Sequence, residues 1–120
     1  MLTTPKLIAA DSALLEGPLE DWGPRVGADV GEPMMSGRVL QPRGEGLPEV
    51  GVWECTPGGW TIESRADTEV VLLLSGRARL SDADGTSVEL GPGESIVLPV
   101  GWSGRWDILE TVRKVYVIVE

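Results

Sequence analysis

The chain has 120 residues, 42% hydrophobic and 24% charged, with 16 glycines and 9 prolines: enough for one core, too little for two domains, and suited to short strands joined by turns. A formal charge of −9 and a sequence pI of about 4.4 argue against nucleic acid and anionic membranes as partners, because both would repel such a surface. The absence of histidine excludes Ser-His-Asp chemistry and histidine acid–base catalysis.

The start, "MLTTPKLIAADSALLEG", has a single Lys6 and a short apolar run, so no signal peptide is expected. No stretch reaches the roughly 18 apolar residues of a membrane span. "DSALLEGPLEDWGP" predicts one short helical turn with Asp11 or Ser12 as N-cap, stopped by Gly17-Pro18. Turn formers recur from Gly23 to Pro48, with "SGRVLQP" the one strand among them. Residues 1–35 read as an N-terminal arm that wraps a barrel face or a partner subunit, and Trp22, Leu14, Leu15 and Met34-Met35 make it too apolar for a free tail.

From residue 49 the pattern is regular. "EVGVWEC" predicts a strand turned by "TPGG", "WTIESR" a second, and "TEVVLLLSG" a third ended by a turn at Gly76. "RARLSD" is a fourth strand, "ADG" a hairpin turn, and "TSVELG" a fifth strand. "PGESIVLPVG", "SGRWDILE" and "VRKVYVIVE" supply the sixth, seventh and eighth. Strands at about ten-residue spacing with no helical pattern between them predict an antiparallel barrel or sandwich.

Two spacings resemble the cupin superfamily. Glu69, six residues and Gly76 match the end of its first motif, and Gly93, Pro99 and Gly101 of "GESIVLPVG" match its second. "GVWECTPGGW", "SGRVL" and "LPVGWSGRWDILETVRKVYVI" narrow the resemblance to the small cupins of the (S)-ureidoglycine aminohydrolase-like group, over roughly residues 36–119. The resemblance implies an all-β fold, a cupin-like double-stranded β-helix (jelly-roll) barrel over residues 36–120 that follows the arm.

It also implies a metal site, and there this sequence departs from the pattern. The family's paired histidines fall near Glu63 and Arg65, its later histidine falls at Gly104, and only Glu69 of the four ligands is present. One carboxylate beside an arginine makes no transition-metal site, so neither a metal nor another cofactor is expected. The aminohydrolase activity, which needs those ligands, is not carried over.

Strand alternation then proposes a barrel lining. Trp60, Ile62 and Ser64 share one face, and Thr61, Glu63 and Arg65 the other. Glu69, Val71 and Leu73 share the face that the family's geometry makes inward, and Lys114, Tyr116 and Ile118 share a face. Glu69 reads in two ways: as a carboxylate paired with Arg65, Arg105 or Lys114, or as an acid–base catalyst desolvated in an apolar barrel, with Lys114 and Tyr116 as catalytic partners.

Five tryptophans beside one tyrosine and no phenylalanine serve either as core fillers or as the walls of a pocket for a small organic molecule. Trp53, Trp60, Trp102 and Trp106, with Glu63 and Arg65, are the candidate ligand-binding residues, and Trp102 at the barrel mouth is the foremost. Cys55 reads as a small buried hydrophobe and, being single, fits a reducing cytoplasm.

The expected function is a metal-independent cupin that binds a small organic molecule, with possible isomerase, lyase or cyclase chemistry at Glu69. The alternative is a structural or regulatory subunit whose barrel is filled by its own side chains. A homodimer is expected from the barrel edges and the apolar arm.

Overall fold

Period-two alternation builds the molecule. In the computed structural model, which describes Leu7, Ala9 and residues 15–119, Glu69, Val71 and Leu73 turn inward while Val70 and Leu72 face out. Eight strands result: β1 (Glu20–Pro24), β2 (Met34–Gln41), β3 (Glu49–Cys55), β4 (Gly58–Ile62), β5 (Thr68–Asp82), β6 (Ser87–Leu90), β7 (Ser95–Leu98) and β8 (Gly104–Val119). All their pairings are antiparallel.

β5 and β8 pair along their length, from Thr68↔Val119 to Asp82↔Gly104. Their outer flanks carry different neighbours at the two ends. The N-terminal half of β5 pairs with β7 and the C-terminal half of β8 with β3, which continues through β2 to β1. The other halves pair with β6 and β4. Two long bent strands therefore belong to both walls of a jelly-roll barrel, as expected from the sequence.

Two expected turns are not turns. The third and fourth predicted strands are the single strand β5, and the seventh and eighth are the single strand β8. Gly76 does adopt a left-handed backbone, φ +85°, but the register shifts between Leu73 and Ala78 make it a bulge that bends the strand without reversing it. A glycine at positive φ serves a turn or a bulge equally, and the choice is made by β8, which stays paired on both sides. The Asp84-Gly85 hairpin forms as predicted, with Gly85 at φ +92° and the Asp82 amide donating to the Thr86 carbonyl at 2.8 Å.

Leu15 and Glu16 have helical backbone that ends at Gly17; the expected caps, Asp11 and Ser12, lie outside the described residues. The carbonyls of Leu15 and Gly17 each accept a hydrogen bond from Arg113 Nη1 at 2.8 Å. "EDWGP", where no strand is expected and only Gly23-Pro24 reads as turn-forming, is the edge strand β1, whose register shift between Asp21 and Gly23 accommodates its Gly-Pro step. Farther along, Val30 bridges to Gly59 beside β4. Among the described residues no helix is long and apolar enough to cross a membrane.

Inside the barrel Leu73, Val71, Val112 and Cys55 are completely buried, with Trp60 and Trp106 nearly so. A Cβ at residue 76 would overlap the Thr111 carbonyl oxygen, in addition to the strain of positive φ. Gly76→Ala is therefore expected to cost at least about 1–3 kcal/mol, read as a lower urea midpoint. An unchanged midpoint would show that the bulge relaxes freely.

Candidate functional site

The inward faces line a cavity of about 270 Å³ that opens to solvent. β5 contributes Glu69; β8 contributes Lys114, Tyr116 and Ile118 from one half and Trp106 from the other; β3 contributes Trp53 and Glu49. These side chains meet because each strand offers every second residue to the interior. The shared face of Lys114, Tyr116 and Ile118 turns toward this cavity.

At its centre Lys114 Nζ lies 2.6 Å from Glu69 Oε2, and both residues are 6% exposed. Glu69 Oε1 faces Arg65 Nη1 at 3.2 Å, and Arg65 also pairs with Asp67 at 3.0 Å. Of the partners expected for Glu69, Arg65 and Lys114 are present. Arg105 is engaged elsewhere, 2.7 Å from Asp29 and 2.9 Å from Asp107. The lone desolvated carboxylate is thus replaced by one flanked by two cations.

The ammonium of Lys114 also lies over aromatic faces, 4.3 Å from the Trp53 ring centroid and 4.7 Å from that of Trp106. Burial pulls its pKa below the usual 10.5, although Glu69 opposes this. Tyr116 donates its hydroxyl hydrogen to Glu49 Oε2 at 2.8 Å. Burial, followed by that bond, holds the phenol well above its ordinary value. Cys55, completely buried, is pushed up to about 11 by desolvation, as an inert thiol would be.

Trp53, Trp60 and Trp106 fill the core and wall the cavity at once. Trp53 meets the other two edge-on, at 6.2 and 6.1 Å between centroids, while Trp60 and Trp106 stack at 6.4 Å. Trp102 lies outside this cavity. Its Nε1 donates to Asp82 Oδ1 at 2.8 Å, and its ring covers Gly104, leaving no room for a Cβ there. Glu63 is exposed and also outside. Arg65, expected on the face of Glu63, reaches the cavity because Ser64 takes φ +45° after β4 has ended and breaks the alternation.

Trp22, Arg25, Met35 and Glu49 join the lining without having been predicted. Glu49 was legible, since it shares parity with Trp53 four residues on. Trp22 reaches the cavity only because β1 pairs with β2 and Gly37 has no side chain where the indole lies. Arg25 carries no sequence signal.

A cupin-type metal does not fit these donors. Position 63 points away, position 65 is a cation, position 104 has no side chain, and Glu69 already faces two positive groups. Among the described residues no three His, Cys, Asp or Glu cluster as metal ligands do.

The unfolded chain holds the Lys114 proton to higher pH than the folded chain does, so this group adds stability as pH rises from its lowered folded value toward 10.5. Lys114→Met, which leaves Glu69 half paired, is expected to lose about 3–5 kcal/mol. Urea unfolding of both proteins at pH 8, 9 and 10 should show that deficit widening toward 10.5. A deficit that stays constant over this range would mean that Glu69, not burial, governs the ammonium.

Residues 44–116, more than half of the chain, match the EutQ-like cupin domain. No curated protein matches. Among solved structures, a DUF861-family protein of unknown function from Pseudomonas syringae pv. tomato superposes with a TM-score of 0.78 at 23% identity, over 87% of this chain and 45% of that one. The Clostridium difficile EutQ protein gives 0.63 at 18%, over 72% and 68%. The polyketide cyclase RemF from Streptomyces resistomycificus gives 0.65 at 20%, over 83% and 72%. This chain therefore spans less than half of the Pseudomonas protein, and these identities speak for the fold alone.

Proposed function

This chain belongs to the EutQ-like cupin domain family, and we propose that it is a metal-independent cupin that binds a small organic molecule in its barrel and moves protons on it. The observation that carries this reading is the buried Lys114–Glu69 contact of 2.6 Å on the wall of an aromatic cavity. A carboxylate and an ammonium so placed form a base and an acid within reach of one ligand. Glu69 takes a proton from carbon beside a carbonyl as Lys114 gives one to the carbonyl oxygen, forming an enol. Where a C=C bond is conjugated with that enol, the oxygen proton returns to Lys114 as Glu69 delivers its proton to the far carbon of the dienol, completing a double-bond isomerisation. Arg65 positions the carboxylate, and Tyr116, committed to Glu49, orients the wall and keeps its proton.

A filled, non-catalytic barrel is the second reading. The observation favouring it is the cavity itself, which lies just below the usual range of about 300–1,000 Å³ for ligand sites. Native mass spectrometry of the protein as purified separates the two. A retained organic mass, one per chain, supports the pocket; a clean apo chain moves the protein to the filled barrel; a stoichiometric transition metal overturns metal independence. Glu69→Gln is expected to abolish turnover of the retained compound while its affinity stays within about tenfold, or 1.4 kcal/mol.

Pairing of two copies belongs to the same proposal. Val70 and Val97 stand opposite each other and exposed on the outer face of β5 and β7, with Leu72 beside them. Light scattering should find a dimer that Leu72→Glu with Val97→Glu dissociates, whereas a monomeric wild type would remove this part of the reading.

A further inference from the structure

We propose that the ligand is a small organic anion with a flat apolar body, and that Arg25 at the cavity wall binds its carboxylate. This specifies the ligand class of the site already described and rests on that reading.

The charges around the cavity are uneven. Three cations, Arg25, Arg65 and Lys114, face two carboxylates, Glu49 and Glu69, in a chain whose overall charge is −9. Most of these groups are occupied. Lys114 and Arg65 share Glu69, Arg65 also holds Asp67, and Glu49 receives the Tyr116 hydroxyl. Arg25 is the exception. Among the described residues it has no carboxylate partner, and its side chain donates only to the carbonyl of its neighbour Val26, at 2.5 Å.

Arg25 is nevertheless well placed. Its backbone amide donates to the Pro33 carbonyl at 2.9 Å, and its guanidinium carbon stands 5.1 Å from the centroid of the Trp60 ring. With Nη1 held by Val26, the Nε–Nη2 edge of this guanidinium remains for the two oxygens of a carboxylate, a geometry an ammonium cannot reproduce.

A continuous set of contacts leads inward from there. Arg25 touches Trp60, Trp60 stacks on Trp106, and Trp106 carries the Lys114 ammonium at 4.7 Å. An aromatic wall with a spare cation at one end and the Lys114–Glu69 pair at the other matches a molecule anionic at one end, flat in the middle and carbonyl-bearing at the other. The cavity, about 270 Å³ and open to solvent, has room for the volume of about nine waters.

The test uses benzoate and benzamide, which share shape and differ in charge, titrated into wild type and Arg25→Gln by calorimetry. Benzoate is expected to bind wild type at least tenfold more tightly than benzamide. Arg25→Gln is expected to remove that preference while benzamide affinity stays within about twofold, with unchanged near-ultraviolet circular dichroism confirming the fold. Equal binding of the two compounds to wild type, or a preference that survives Arg25→Gln, overturns the inference and leaves the organic pocket standing. Binding of neither at millimolar concentration overturns the inference together with the pocket reading beneath it.

Discussion

The antiparallel pairing of β5 with β8 is the constraint on which everything else depends. Because the two strands run the length of the barrel, with β5 bent at Gly76, each serves both walls; β3, β4, β6 and β7 attach directly to their flanks, and β2 and β1 extend from β3. Register does the rest. With Leu73 opposite Lys114 and Glu69 opposite Ile118, the inward set of β5 faces the inward set of β8, and the reach of the lysine brings its ammonium to the carboxylate. A slip of β8 by one residue against β5 would turn Lys114 outward and leave Glu69 without it.

That buried pair is not what holds the barrel together. An ion pair taken out of water recovers little net free energy compared with apolar side chains of the same volume, and the completely buried Leu73, Val71, Leu98 and Val112 supply the cohesion. The pair stands at the inner end of an alternating series, Arg43–Asp67–Arg65–Glu69–Lys114, which runs in from the surface. Each charge in it is compensated by its neighbours, so the interior tolerates a buried carboxylate. A tethered ammonium supplies the positive charge beside Glu69.

The tryptophans divide by a related logic. Trp53, Trp60 and Trp106 occupy inward positions on β3, β4 and β8, where they pack on one another and also line the cavity. Trp102 follows the Pro99–Gly101 turn, and its indole is drawn to Asp82 on the neighbouring strand, where it seals the barrel over Gly104. Nearness to the mouth in sequence does not decide which side of the mouth a ring covers.

What the sequence by itself determined is whatever depends on neighbours along the chain: the bounds of β3 at Glu49–Cys55, the Asp84-Gly85 hairpin, and the shared faces of Glu69 with Leu73 and of Lys114 with Tyr116. Alternation is local, so these were legible without knowing any partner strand. Only the tertiary structure decided that Gly76 bends rather than reverses the chain, and that "EDWGP" pairs as an edge strand. It alone turned Arg65 inward past Ser64, brought Arg25 and Trp22 to the cavity, and left Glu63 outside it. Each of these outcomes is set by a pairing with residues distant in the chain, and a left-handed glycine, a Gly-Pro step or a lone arginine carries no local mark of which pairing will prevail.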